Sequence, residues 1–188
     1  MNIAVYCSAK DTIADEYKQL GMELGKWIAQ NYHTLVYGGA TGGLMTAVSQ
    51  SCIESGGEVI GIVPEKIIKA GRRSPWCTQL IEVNNMSERK QRMREQADCF
   101  VCLPGSYGTL DEMFDVIASG TVHEHCKPIF IVNYKGFYSS LKELIDHMKQ
   151  EAFIPIEEHY KPQFVETLEE LFDDLRMRFV PNDTFRAE

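Results

Sequence analysis

The sequence of 188 residues lacks the features of several classes of protein. No apolar run approaches the roughly 18 residues of a membrane span, and the opening residues lack the basic, apolar and small-residue zones of a signal peptide. The net charge of -8 is opposite to the broad basic surface that binds nucleic acid by neutralising many phosphates. We therefore expect a cytoplasmic protein that binds neither membranes nor nucleic acid.

A disulfide framework is also lacking, because the cysteines lie scattered through apolar segments. Two of them, Cys99 and Cys102, form a C-x-x-C on a predicted strand, where residues three apart face opposite sides and cannot share a metal. The pattern predicts small buried thiols in a reducing compartment. The six cysteines are Cys7, Cys52, Cys77, Cys99, Cys102 and Cys126.

Repeats and low-complexity segments are missing from the sequence as well. With 44% hydrophobic and 24% charged residues, the chain has an ordinary globular composition and can bury one core. We expect a single domain over residues 1–188.

Apolar runs alternate with helical patterns along the whole chain. The predicted strands are Asn2–Ser8, Thr34–Tyr37, Glu58–Val63, Leu80–Val83, Cys99–Leu103 and Pro128–Asn133. The predicted helices are Ala14–Gln30, Gly42–Ser55, Ser87–Gln96 with a capping serine, one after Thr109, Tyr138–Gln150 and Phe164–Phe179. Residues 65–78 show no clear period and predict a mobile loop beside the site.

Near-continuous apolar strands separated by helices are typical of a parallel sheet covered on both faces. The sequence therefore predicts an α/β fold, a Rossmann-like, doubly wound and mostly parallel sheet. Ligands of such sheets lie beyond the carboxyl ends of the strands, where the loops after Tyr37, Val63, Val83 and Leu103 would meet.

One of these loops, Pro104–Glu112, joins an apolar strand to a helical pattern in a tight turn. Small residues let a backbone approach a ligand closely, and the free amides at a helix N-terminus favour a phosphate. The loop is a candidate phosphate site.

A second glycine cluster, residues 38–45, also lies between a strand and a helix and offers similar amides. The dinucleotide fingerprint G-x-G-x-x-G would need a glycine at Ala40 and usually follows the first strand. A nicotinamide oxidoreductase is therefore disfavoured, although Glu65 lies where an acid for a ribose would be expected. The alternative to a ligand-binding role is that these glycines serve only a tight turn and close packing of the helix.

Charged side chains flank the loop at 104–112 on two helices. Arg89 and Lys90 lie in a first helical turn, where cations oppose the helix dipole unless an anion is near. Glu112 and Asp115 lie three apart and away from the apolar stripe of their helix, so both can face the crevice. Alternatively, the cations belong to an ordinary solvated helix surface, and Glu112 is present only because the helix dipole favours an acid near the N-terminus.

Metal-ligand residue types occur at His123–Cys126, but the rest of the chain offers no matching set at a zinc spacing. We expect no metal site and no cofactor.

Three motifs in order resemble the LOG family, the cytokinin-activating phosphoribohydrolases that were long described as possible lysine decarboxylases. The family's PGGxGTxxE is present as Pro104–Glu112, its M-x-x-R-K as Met86–Lys90, and its GGGxxGLM as Gly38–Met45. The resemblance runs over nearly the whole chain. The decarboxylase description finds no support, because no segment reads as a pyridoxal phosphate site.

The resemblance implies hydrolysis of the N-glycosidic bond of a nucleoside 5′-monophosphate, such as AMP or a cytokinin riboside monophosphate, to a free base and ribose 5-phosphate. It assigns the catalytic roles to Arg89 and Glu112 and implies a homodimer. The candidate substrate-binding residues are Ser8, Gly42, Gly43, Met86, Lys90, Gly105, Ser106, Tyr107, Gly108, Thr109 and Asp115.

Two residues depart from the family motifs, since Ser106 and Ala40 replace glycines. A positive φ at Ser106 would be strained, and its side chain could crowd the phosphate. Beside hydrolysis the sequence leaves open a non-catalytic nucleotide or cofactor carrier, then the disfavoured oxidoreductase and, least favoured, an interaction scaffold.

Overall fold

Seven strands form one parallel sheet in the computed structural model, which describes residues 1–155 and 157–178. The order across the sheet is β4-β3-β2-β1-β5-β6-β7. The strands are β1 (Asn2–Tyr6), β2 (Thr34–Tyr37), β3 (Glu58–Pro64), β4 (Gln79–Val83), β5 (Cys99–Cys102), β6 (Ile129–Val132) and β7 (Gln163–Val165).

Helices cover both faces of this sheet. They are α1 (Asp15–Gln30), α2 (Gly43–Glu54), α3 (Glu65–Lys69), α4 (Met86–Gln96), α5 (Tyr107–Thr121), α6 (Ser139–Gln150) and α7 (Leu168–Arg178). Apolar side chains of α1, α2 and α7 pack into one core cluster, and those of α4, α5 and α6 into another. The predicted doubly wound α/β fold is confirmed.

Most strands contribute side chains to both core clusters, because successive side chains of a strand point to opposite faces of the sheet. In β1, Ile3 and Val5 join the first cluster and Ala4 joins the second. Cys99 and Cys102 of β5 separate in the same way, which confirms that the C-x-x-C pair cannot act as one site. Cys126, however, is exposed rather than buried.

The structure corrects several predicted elements. Residues 65–78 begin with the short helix α3, and the predicted helix at Phe164 is in fact strand β7 followed by α7. Phe164 pairs with Ile131 at the sheet edge, a contact that local periodicity does not reveal. The predicted helix end Phe179 lies outside the described residues.

Helix α4 begins one residue earlier than predicted, and its cap is not Ser87. The side chain of Asn85 accepts a hydrogen bond from the Glu88 amide at 2.9 Å, and the Glu88 carboxylate accepts one from the Asn84 amide at 2.9 Å. None of the described helices is long and apolar enough to span a membrane.

Strands β1 and β5 are neighbours, and the chain leaves β1 toward one edge of the sheet and β5 toward the other. Such a switch in winding direction opens a crevice at the carboxyl ends of the two strands. The loops after β1 and β5 therefore face a common space.

Candidate active site

A cleft of about 1110 Å³ opens at this crevice. Its walls come from the residues after β1, the glycine loop before α2, the segment between α3 and β4, and the first turns of α4 and α5. The loops that the sequence predicted to meet therefore line one cavity.

An ion pair lies buried in the wall of the cleft. Arg89 from α4 is 5% exposed and Glu112 from α5 is 3% exposed. The Arg89 Nη1 donates a hydrogen bond to Glu112 Oε1, and Arg89 Nε donates to the carbonyl of Ile62 at 3.2 Å. Both residues line the cleft, so the two predicted catalytic residues lie side by side in its wall.

Burial of the Glu112 carboxyl raises its pKa above the ordinary value, and the Arg89 guanidinium opposes that rise. The carboxyl group is therefore under two opposing influences, burial favouring its neutral form and Arg89 favouring its ionised form. The Cys7 thiol also lines the cleft, but burial and the charge of Glu112 raise its pKa, which keeps the thiol protonated and poorly nucleophilic.

Gly38 makes room for the guanidinium, a role that the sequence did not reveal. A Cβ atom at this position would lie 1.7 Å from Arg89 Nη2 and 2.9 Å from Arg89 Cζ. The first residue of the glycine cluster therefore serves the ion pair, whereas the motif alone suggested a phosphate turn.

The N-terminus of α5 opens into the cleft. The helix begins at Tyr107, so the amides of its first turn have no intrahelical acceptor. The side chain of Ser106 at the N-cap position makes no capping hydrogen bond. A Cβ atom at Gly108 would meet nothing within 4 Å, so a ligand has open space there. These features suit a phosphate at this helix end.

Ser106 lies in extended backbone with φ -103°, so replacing glycine causes no strain there. Gly105 does not line the cleft but packs under Thr109, whose Oγ1 would lie 2.0 Å from a Cβ atom at position 105. Its role in the structure is close packing of the turn against the helix.

The N-terminus of α2 differs, because the amides of its two glycines already have partners. Gly43 donates to Asp11 Oδ1 at 2.8 Å, and Gly42 donates to Thr46 Oγ1 at 2.7 Å. Both glycines adopt positive φ and line the cleft. Asp11 neutralises this helix end, so α5 is the better site for an anion.

The remaining predicted site residues divide into two groups. Ser8 and Met86 line the cleft. Lys90, Asp115 and the 90%-exposed Tyr107 are not among its lining residues.

The expectation that Asp115 faces the crevice is wrong, because it pairs with Arg94 and lies 3.4 Å from Lys90 Nζ. Lys90 also pairs with Asp111 at 2.9 Å. This network ties α4 to α5 beside the buried pair.

The sequence placed residues 65–78 beside the site but did not identify which of them line the cleft. Arg72 and Trp76 both line the cavity. Lys10 and Met22 also line it, and no local motif marks them.

Metal-ligating side chains are not gathered in the described part of the chain, where no three His, Cys, Asp or Glu residues are placed to hold an ion. His125 instead bonds the Val116 carbonyl at 3.0 Å and packs edge-on against Tyr160.

Comparison with known proteins agrees with the motifs at this site. A model of the family described as "Possible lysine decarboxylase" matches residues 45–175. The protein named probable cytokinin riboside 5′-monophosphate phosphoribohydrolase LOGL6, of Oryza sativa subsp. japonica, is 37% identical over 152 residues. The chain belongs to the LOG family. That match covers 81% of this chain and 61% of the rice protein, less than two thirds of its length.

A second LOG relative matches along nearly its whole length. Cytokinin riboside 5′-monophosphate phosphoribohydrolase LOG2 of Arabidopsis thaliana is 32% identical over 195 residues, covering 98% of this chain and 92% of that protein. The predicted family is confirmed.

A solved structure shares the fold. The molybdenum cofactor carrier protein of Chlamydomonas reinhardtii superposes with a TM-score of 0.72 and 18% identity, covering 96% of this chain and 98% of that chain. At this identity the likeness shows the fold alone.

Proposed function

We propose that this protein hydrolyses the N-glycosidic bond of a nucleoside 5′-monophosphate, AMP or a cytokinin riboside monophosphate, to the free base and ribose 5-phosphate. The observation that carries the proposal is the placement of Glu112 on α5, one helical turn beyond Thr109 and the open amides of the same helix. The names of the relatives support the same reaction class.

The open end of α5 holds the 5′-phosphate through the amides of Tyr107, Gly108 and Thr109. The phosphate then fixes the ribose near the buried carboxylate. Because the phosphate is the anchor, adenosine should be a far poorer substrate than AMP.

Glu112 acts on the sugar. Cleavage builds positive charge at C1′ as the base leaves, and an ionised carboxylate stabilises that charge. It also orients a water molecule and accepts its proton. Water oxygen bonds to C1′, the C1′–N bond breaks, and the base keeps the electron pair and takes up a proton.

Arg89 favours the ionised form of Glu112 and holds its side chain in place. Its guanidinium lowers the carboxyl pKa against the effect of burial, and its second contact, to the Ile62 carbonyl, fixes its direction. Arg89 also offsets negative charge on the phosphate or the leaving base. Ser8 and Met86 contact the nucleotide from the walls of the cleft.

The proposal is tested by incubating the protein with AMP and quantifying products by chromatography. Adenine and ribose 5-phosphate in equal amounts, proportional to enzyme, are expected, with adenosine turned over far more slowly. Comparable turnover of adenosine and AMP would contradict the phosphate-anchored scheme.

A non-catalytic nucleotide or cofactor carrier is the second candidate, favoured by the fold shared with a molybdenum cofactor carrier protein. It leaves the buried Arg89–Glu112 pair without a chemical role. Recovery of unchanged AMP bound to the protein would support the carrier and refute the hydrolase.

We also propose that the protein is cytoplasmic and forms a homodimer. The six cysteines are unbridged, which suits a reducing compartment. Large apolar side chains are exposed on α5 and α6, with Phe114 at 40% and Leu144 at 52%, and a second copy would cover them. Light scattering after size exclusion should give twice the 21.4 kDa chain mass, and a monomer would refute this part.

A further inference from the structure

The cleft has one aromatic side chain among its described lining residues, that of Trp76. We propose that the base of the bound nucleotide stacks on the Trp76 indole, and that this contact makes the site prefer purine over pyrimidine nucleotides. The proposal rests on the proposed function, since it assumes a nucleotide in this cleft. It identifies the residue that recognises the leaving group.

The backbone around Trp76 is held firmly at the mouth of the cleft. The Trp76 amide donates to Ser74 Oγ at 3.2 Å, and Ser74 is only 3% exposed. The Trp76 carbonyl accepts a hydrogen bond at 3.4 Å from the hydroxyl of Tyr37, a fully buried residue of β2. Trp76 itself is half-buried and lines the cavity.

The segment that carries Trp76 is also paired with the glycine loop. Thr41 donates its amide to the Arg72 carbonyl at 2.9 Å, Arg72 Nη2 donates to the Thr41 carbonyl at 3.0 Å, and Ser74 donates its amide to the Gly39 carbonyl at 3.0 Å. These bonds flank an antiparallel bridge between Ala40 and Arg73. These bonds fix the backbone of the segment that carries Trp76 without a ligand, which reduces the conformational entropy lost when a ligand binds.

With the phosphate at the end of α5, the base of the nucleotide is free to reach Trp76. The phosphate takes the end of α5 and the sugar lies at Glu112, so the base extends into the remaining volume. A planar base has a π-face for an aromatic ring, and stacking of this kind contributes about 1–3 kcal/mol per base. A purine covers more of the indole than a pyrimidine and gains more from the contact.

The first test uses the fluorescence of Trp76. The chain has two tryptophans, and Trp27 is buried in the core, stacked on Phe172 with ring centroids 4.5 Å apart. A Trp27→Phe variant therefore leaves Trp76 as the single reporter. On rapid mixing, before turnover, AMP should quench this fluorescence strongly and CMP more weakly, whereas ribose 5-phosphate should bind without quenching.

The second test separates the base contact from the phosphate contact. Trp76→Ala should raise the KM for AMP by about 5- to 150-fold, which corresponds to ~1–3 kcal/mol of lost stacking. Inhibition by ribose 5-phosphate should stay unchanged, which also shows that the variant is folded. Trp76→Phe keeps an aromatic face and should restore the KM to within a few fold.

Equal quenching by ribose 5-phosphate and AMP, or an unchanged KM for AMP in Trp76→Ala, would overturn the proposal. Failure of the proposed function gives a different result. If AMP quenches Trp76 while no adenine is released, the base contact stands and the hydrolase assignment fails.

Discussion

Replacing Gly38 with alanine should break the buried ion pair without touching either charged residue. The added Cβ would lie 1.7 Å from Arg89 Nη2. The guanidinium must therefore move away by roughly the same distance to reach ordinary van der Waals contact. Arg89 Nη1 then loses its hydrogen bond to Glu112. Breaking a buried pair in this way costs about 3–5 kcal/mol, and a reacting group displaced by ~1 Å costs about 10²-fold in rate.

The stability of Gly38→Ala is measured by urea unfolding, and its kcat by release of adenine from AMP. Gly108→Ala is the matched control for stability, because the same added methyl group meets nothing within 4 Å there. A Gly38→Ala protein with the parent stability and a kcat within a few fold would refute the argument that this glycine makes room for Arg89.

Two further predictions concern the pH profile and the phosphate site. In Arg89→Gln, the Glu112 carboxyl loses the main charge that opposes burial and its pKa rises further, so the acid limb of the kcat profile should move to higher pH. A limb that stays in place would contradict the role of Arg89. Gly108→Ala should stabilise the fold by about 0.5–1 kcal/mol through helix propensity. Its methyl group would enter the space proposed for the phosphate and should raise the KM for AMP about tenfold, or ~1.4 kcal/mol, in initial-rate assays. An unchanged KM would argue against a phosphate at this helix end.

The sheet could be predicted from the sequence because each long strand is a continuous apolar run between helical patterns. The short elements could not. Strand β7 has three residues and depends on pairing with β6 at the sheet edge, and α3 has five residues with none buried. Such segments are specified by tertiary contacts more than by their own periodicity.

The candidate site was predictable where a local rule applied. Cations near the N-terminus of a helix oppose its dipole and therefore indicate a nearby anion, and in the structure Glu112 is the partner of Arg89. The helical pattern could not decide which acid faces the cleft, because Glu112 and Asp115 both avoid the apolar stripe. Asp115 instead bonds Arg94, a choice made by the packing of α4 on α5.

Contacts between distant segments decide what the glycine motifs do. Asp11 caps α2 from 32 residues away in the chain, so the cluster before α2 offers no free amide at Gly43. Trp76 reaches the cleft because residues 72–74 pair with the glycine loop more than 30 residues earlier. Neither arrangement has a signature in the local sequence.

The Glu112→Gln variant tests the central claim most directly, since it keeps the shape of the side chain and removes its charge. Adenine release from AMP is measured together with calorimetric binding of the nucleotide. We expect binding within a few fold of the parent and release lower by roughly 10²- to 10⁴-fold, the usual contribution of such a group. Release at nearly the parent rate, with binding intact, would show that the buried carboxylate does not perform the reaction.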